Sequence, residues 1–268
     1  MSLLRFPDPY DFELSTNRFR VFGIDLANRL ENGVLHRAID GRVVRMAAAA
    51  GGVEVDPLDP VTEPRVAYML GAPFDLHAFY LWAAGDPVLG PITERLRGYR
   101  PPLQVDPFEM LITSITAQQI SLTAATAIRN RLIERFGVRL DGVWAFPTRD
   151  RIASATEAEL LEIGFSRRKA EYAVALARGD LDLKGLAALG DDEVRERIVE
   201  QRGLGPWTAE WFLARHLARP TAWPAGDLAL RKAAADLYGV GVIELGPRLH
   251  PFQNLSAHYL LTGWLTKP

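Results

Sequence analysis

Gln201-Arg202-Gly203-Leu204-Gly205-Pro206-Trp207-Thr208-Ala209 separates two helix-like stretches within Arg195–Lys232, and Trp223-Pro224-Ala225-Gly226-Asp227 leads into a third. Two glycines one residue apart let the backbone turn tightly and come close to another surface. The amides of such a turn, with those of the helix start behind it, point outward as donors for a phosphate. A contact of that kind positions a protein on a nucleic-acid backbone without reading sequence. The other reading of Gly-x-Gly is a plain helix connection. Asp227 also has two readings. Aspartate is among the best N-cap residues, and a carboxylate held by a cap is rigid, which suits chemistry.

The surroundings are helical. Asp106-Pro107 opens a long segment to about Phe136, with a cap residue, proline at the first helical position and Gly137 at the end. Further helices are expected at 149–154, 157–163, 167–178, 191–200, 207–218, 227–238 and 252–265. Toward the N-terminus the pattern changes. Phe19–Ile24, Val34–Ile39, Gly41–Met46 and Gly52–Val55 read as strands, with Asp40-Gly41 as a two-residue hairpin signal and the alanine run from Ala47 to Gly52 as a turn. Leu76–Trp82 looks helical, and Arg100-Pro101-Pro102 offers a boundary. The expected class is α+β. An N-terminal antiparallel sheet with helices would occupy 1–100, and a mostly helical helix-hairpin-helix domain 101–268, its hairpin at about 191–218.

Composition narrows the chemistry. The chain has 268 residues, with 31 Lys+Arg against 33 Asp+Glu and no cysteine. A formal charge of −2 leaves no global electrostatic footprint, so a nucleic-acid partner must be argued from motifs. The missing cysteines exclude disulfides, thiolate zinc sites, iron–sulfur clusters and thiol nucleophiles. With 48% hydrophobic residues the chain is globular rather than disordered. No run approaches the ~20 apolar residues of a membrane span, and the start lacks a secretory signal, so the expected location is the cytoplasm. The five histidines show no ligand spacing, and no phosphate-loop or nucleophile-elbow motif is present.

The array of hairpin, second helix, Pro-x-Gly-Asp and third helix resembles the helix-hairpin-helix–Gly/Pro–Asp superfamily of DNA glycosylases, and within it the AlkA-type 3-methyladenine DNA glycosylase II branch. Asp106–Ile112 through Thr116–Ser121 looks like the family's first long helix and its Gln-Gln loop. Ile163–Ala170 matches the turn before another helix of that fold, and the first hundred residues resemble the branch's extra N-terminal domain. The resemblance implies a monofunctional enzyme that hydrolyses the N-glycosidic bond of alkylated purines flipped out of damaged double-stranded DNA. Another base specificity (uracil, hypoxanthine, oxidised guanine) or a non-catalytic DNA-binding protein are the alternatives.

On that resemblance Asp227 is the catalytic carboxylate, stabilising positive charge near C1′. Trp207 stands where bifunctional relatives carry a nucleophilic lysine. The four lysines, Lys169, Lys184, Lys232 and Lys267, fall elsewhere, which implies no lyase activity. Trp207, Trp211 and Trp264 would wall the base pocket, through stacking and cation–π attraction. Tryptophans at helical spacing are otherwise core, the reading given to Trp82, Trp144 and Trp223. Gln119 occupies the wedge position where leucine is usual, with Ile120 adjacent. Arg167, Arg168 and Lys169 oppose the dipole of a helix capped by Ser166, which marks either a phosphate contact or a solvated turn. The DNA-binding set is thus Gly203, Leu204, Gly205, Thr208, Gln119, Ile120, Arg167, Arg168 and Lys169. The family requires no cofactor, and it offers a place for a sodium or potassium ion on the carbonyls of Val199, Gln201 and Leu204. The implied partner is DNA, met by a monomer associated with the nucleoid and not with a membrane.

Overall fold

The computed structural model describes residues 2–266. The chain begins with β1 (Ser2–Arg5), α1 (Phe12–Thr16), α2 (Arg18–Val21), β2 (Asn28–Glu31), β3 (Val34–Ile39), β4 (Arg42–Ala49) and β5 (Gly52–Asp56). The strands form one antiparallel sheet in the order β1-β5-β4-β3-β2. Asp40-Gly41 makes the expected tight turn, with both residues at positive φ and Ile39 paired to Arg42. Two expectations change here. Residues 19–24 are not a strand: α2 ends at Val21, and Val21 and Ile24 are exposed while Phe19 alone is buried. The alanine run is strand as far as Ala49, with the reversal confined to Ala50-Gly51.

α3 (Thr62–Met69), α4 (Leu76–Ala83) and α5 (Leu89–Arg95) follow, and then α6 (Pro107–Ala117) and α7 (Leu122–Phe136). The expected single helix over 106–136 is two. Gln118 leaves helical geometry, Gln119 sits at φ +58, and Ser121 caps α7 through the Ala124 amide at 3.2 Å. After a small hairpin, β6 (Val138–Leu140) and β7 (Val143–Ala145), the remainder is helical: α8 (Arg149–Ala153), α9 (Glu157–Glu162), α10 (Arg167–Arg178), α11 (Asp191–Val199), α12 (Pro206–Arg215), α13 (Leu228–Tyr238), α14 (Val242–Arg248) and α15 (Gln253–Leu265). α14 has no counterpart in the sequence reading, because Gly246-Pro247 looks like a breaker.

Three cores result. The sheet packs with α1 and α3 around Leu35, Met46, Val55 and Val66. α6 to α12 share a second core around Leu111, Leu132, Ala173 and Phe212. The third joins α4 and α5 to α13–α15, through Phe79, Leu89, Leu230 and Tyr259. Packing therefore divides the chain nearer residue 70 than residue 100. A buried ionic bridge ties the sheet to the helices: Arg37 of β3 and Arg129 of α7 both donate to Glu109 of α6, at 3.0 and 2.5 Å, and Arg129 also reaches Asp25 at 2.6 Å. Burial disfavours the Glu109 charge, but the two guanidiniums outweigh it and hold the carboxyl below its usual range.

Candidate active site

Asp227 lies at the seam between the second and third cores, where α12 ends one and α13 begins the other. Its backbone is set by the Trp223–Gly226 turn. Glu210 of α12 accepts the Trp223 N–H at 3.0 Å while its other oxygen takes Arg195 Nε at 2.6 Å, and the Asp227 N–H donates to Pro224 at 2.9 Å. One carboxylate oxygen then caps α13, accepting the amides of Ala229 and Leu230 at 2.9 and 3.0 Å. The other accepts the indole N–H groups of Trp207 and Trp211, both at 3.1 Å. The helix cap and the two indole contacts are thus made by one side chain, with an oxygen for each. Four donors also match the about four lone-pair sites of an ionised carboxyl.

The tryptophans do different things. Trp207 is half-buried, and a Cβ added at Gly226 would lie 3.6 Å from the Trp207 Cβ. Trp211 is only 2% exposed, and the Arg215 guanidinium covers one face at 3.7 Å while His258 meets it edge-on at 5.6 Å. Trp211 is therefore a holder of Asp227 and not a free stacking wall. Trp264 is elsewhere. Its indole donates to Asp236 at 2.8 Å, near the far end of α13. From position 227 to 236, at ~1.5 Å per residue, the axis rises roughly 13 Å, which removes Trp264 from the base pocket.

In the hairpin, Gly203 sits at φ +85, and a Cβ there would lie 2.1 Å from the Tyr172 ring. Gln118, from the α6–α7 loop, donates to the Gly203 carbonyl at 2.8 Å. Gly205 caps α12 in extended geometry, and nothing stands within 4 Å of where its Cβ would be. The amides of Gly203 and Gly205 have no acceptor among the described residues. Leu204 and Thr208 are buried, and the Thr208 amide already donates to Gly205 at 2.9 Å, so these two support the turn from inside rather than touching a ligand. The Gln201 carbonyl accepts the Leu204 amide at 3.0 Å.

Gln119 and Ile120 are exposed at the loop's tip, Gln119 in left-handed geometry that a non-glycine residue adopts at a cost. Arg167 and Arg168 are exposed. Lys169 is not free for DNA, because its ammonium donates to the Thr116 carbonyl at 2.9 Å and closes the end of α6. Lys267 lies outside the described residues. The sequence reading missed Arg215, His258 and Arg18. Arg215 follows Trp211 by one helical turn, the spacing that puts both on one face. Burial and the nearby Arg18 push Arg215 down to about 9, and burial with both arginines keeps His258 neutral.

Residues 112–244 match the HhH-GPD superfamily base excision DNA repair protein family. The chain is 34% identical over 201 residues to a DNA-3-methyladenine glycosylase of Bacillus subtilis, covering 69% of this chain and 66% of that one, just under two thirds of the relative. In structure it is similar to a 3-methyladenine DNA glycosylase of Archaeoglobus fulgidus, with a TM-score of 0.89 and 28% identity over 99% of both chains. It is also similar to the 3-methyladenine DNA glycosylase of Schizosaccharomyces pombe in complex with abasic DNA, with a TM-score of 0.60 and 26% identity over 70% of this chain and 97% of that one.

Proposed function

The chain belongs to the HhH-GPD superfamily of base excision DNA repair proteins, and from that premise we propose that it is a monofunctional DNA glycosylase releasing alkylated purines from duplex DNA. One observation carries the reading: α12 joins the two features, since Trp207 and Trp211 on it donate to the Asp227 carboxylate, which also caps α13, while the hairpin that leads into α12 presents amides without an acceptor among the described residues. The hairpin would grip a phosphate, fixing the nucleotide's position. Heterolysis of the C1′–N bond sends both electrons to the alkylated base, which departs neutral when it arrived as a cation. The sugar is left with oxocarbenium character. A carboxylate held in place by four N–H donors is a fixed, oriented negative charge, so Asp227 acts by stabilising that cation. Water adds to C1′ and loses its proton to solvent.

Trp207 fills the position of a lysine nucleophile, so no covalent sugar adduct forms. Trp207 is the remaining stacking wall, and Gln119 with Ile120 would enter the gap left in the duplex. Arg167 and Arg168 would lie along the backbone. A sodium or potassium ion on the carbonyls of Val199, Gln201 and Leu204 belongs to the same proposal, as do action as a monomer and a cytoplasmic, nucleoid location. Among the described residues no helix is long and apolar enough to cross a membrane. The test is incubation with methylated duplex DNA. Free 3-methyladenine and 7-methylguanine, heat-labile abasic sites and no adduct on borohydride reduction are expected. A trapped adduct, or no released base, overturns the reading.

A further inference from the structure

Asp227 carries the mechanism above, and the Glu210–Arg195 pair sets its backbone. Arg215 and Arg18 have no part in either. The Arg215 guanidinium lies 3.7 Å over the Trp211 ring, and its buried Nε has no hydrogen-bond partner among the described residues. Arg18, from α2 of the N-terminal module, lies close enough to Arg215 and His258 to disfavour a proton on either. Tyr99, Asp25 and Arg129 also act on Arg18, and Tyr99 and Asp227 on Arg215, yet among the described residues neither guanidinium is engaged by a side-chain hydrogen bond. Both residues are half-buried rather than sealed. Arginine stays protonated in proteins. The pair is therefore a standing electrostatic cost that acceptor atoms placed beside it would relieve.

That arrangement suits one kind of leaving group. Two guanidiniums repel a base that arrives as a cation, and such a base leaves neutral with nothing for them to stabilise. An uncharged lesion is different. When its C1′–N9 bond breaks, both electrons pass to the base, which departs as an anion with charge spread over its ring nitrogens. Water then adds to C1′, and the proton it sheds neutralises the base. A planar guanidinium fork matches the acceptor edge of such an anion. We infer that Arg215, with Arg18 beside it, is a specificity and leaving-group residue that supports excision of uncharged alkylation adducts and is dispensable for cationic ones. The inference rests on the glycosylase reading, and it gives the N-terminal module a side chain in the site.

The experiment measures single-turnover release from two duplex oligonucleotides, one with 7-methylguanine and one with 1,N6-ethenoadenine, the second uncharged at neutral pH. The wild type should release both. Arg215→Met should slow the ethenoadenine reaction by on the order of 100-fold, the loss typical of one charge-stabilising donor, while 7-methylguanine release is unchanged or faster. Arg215→Lys should recover part of the ethenoadenine rate, and Arg18→Met should show the same selectivity in smaller degree. Thermal unfolding and binding to abasic-site DNA identify a misfolded variant, in which case Arg18→Met alone decides. Equal losses on both substrates, or a wild type that releases only 7-methylguanine, overturn the inference and leave the glycosylase reading standing. Release of neither base removes both.

Discussion

Replacing Asp227 with Asn removes more than a charge. The carboxylate accepts four N–H groups, two from the start of α13 and two from indoles. Asparagine keeps one acceptor oxygen and gains an NH2. With the oxygen toward Ala229 and Leu230 the cap survives, since Asn caps as well as Asp, but the NH2 then faces Trp207 and Trp211, donor against donor. With the amide flipped, the indoles are satisfied and the helix amides are orphaned. Either way two donors lose their acceptor. An unsatisfied buried donor costs about 1–3 kcal/mol. Trp211, 2% exposed, takes the upper part of that range, and the half-buried Trp207, which can turn toward water, the lower. The sum is about 3 kcal/mol, which at roughly 2–4 °C per kcal/mol for a chain of this size lowers the Tm by about 6–12 °C. Adding Trp207→Phe to Asp227→Asn removes one of the facing donors and should return about 1 kcal/mol as a coupling energy in a double-mutant cycle. Calorimetry of the four proteins measures this, and single-turnover release of 7-methylguanine should fall by on the order of 10²–10³ for Asp227→Asn. An Asp227→Asn protein that melts with the wild type would show that the indole contacts contribute nothing. Full activity in that protein would refute the role of the charge.

Other outcomes follow from the same geometry. Glu109→Gln leaves Arg37 and Arg129 buried without their shared carboxylate, so stability should drop by about 3–5 kcal/mol, read from urea unfolding. Asp25 and Glu109 both hold depressed values in the fold, so their contribution is full above the ordinary carboxylate range and is lost as pH falls through the lower folded values. Unfolding from pH 7 down to acid should accordingly be flatter for Glu109→Gln than for the wild type. Trp264→Phe loses only its bond to Asp236 and should excise bases at the wild-type rate, and a large loss in single-turnover release would return Trp264 to the pocket. Gln118→Ala cuts the tether to the Gly203 carbonyl. It should weaken binding to abasic-site DNA severalfold while moving Tm little, and unaltered binding would mean the hairpin holds its shape unaided.

Local chemistry made part of this legible and left the rest hidden. Ser166 and Gly179 bound α10 where the sequence places it, because cap and stop residues act through neighbours only a few positions away. Asp40-Gly41 fixed a hairpin for the same reason. Periodicity alone runs the helix through Gln118–Ser121, because apolar residues keep helical spacing across it and no glycine or proline marks the turn, and only the resemblance placed a loop there. Phe19-Arg20-Val21-Phe22 alternates like a strand, yet only Phe19 is buried, a fact decided by the sheet packed nearby. In the site, Asp227 and Trp207 were readable from the motif around them. The bond that joins them, the use of Trp211 as a second donor and the lid of Arg215 over its ring depend on how α12 meets α13 and α15. Lys169 looked like a DNA contact because its partner, the Thr116 carbonyl, lies more than fifty positions earlier in the chain.

The two hairpin glycines answer to different judges. Gly203 is fixed by its own fold, since left-handed geometry and the Tyr172 ring exclude any side chain whether or not a ligand is present. Gly205 has ordinary geometry and open space around it. A library randomised at both positions and sorted only for folding would keep glycine at 203 and let 205 drift to alanine or serine, which the free protein accommodates. Sorted for repair of alkylated DNA in living cells, the same library would hold both. The difference between the two surviving populations marks the place where a partner's surface comes within a methyl group's width of the backbone, and it locates that contact from sequence counts alone.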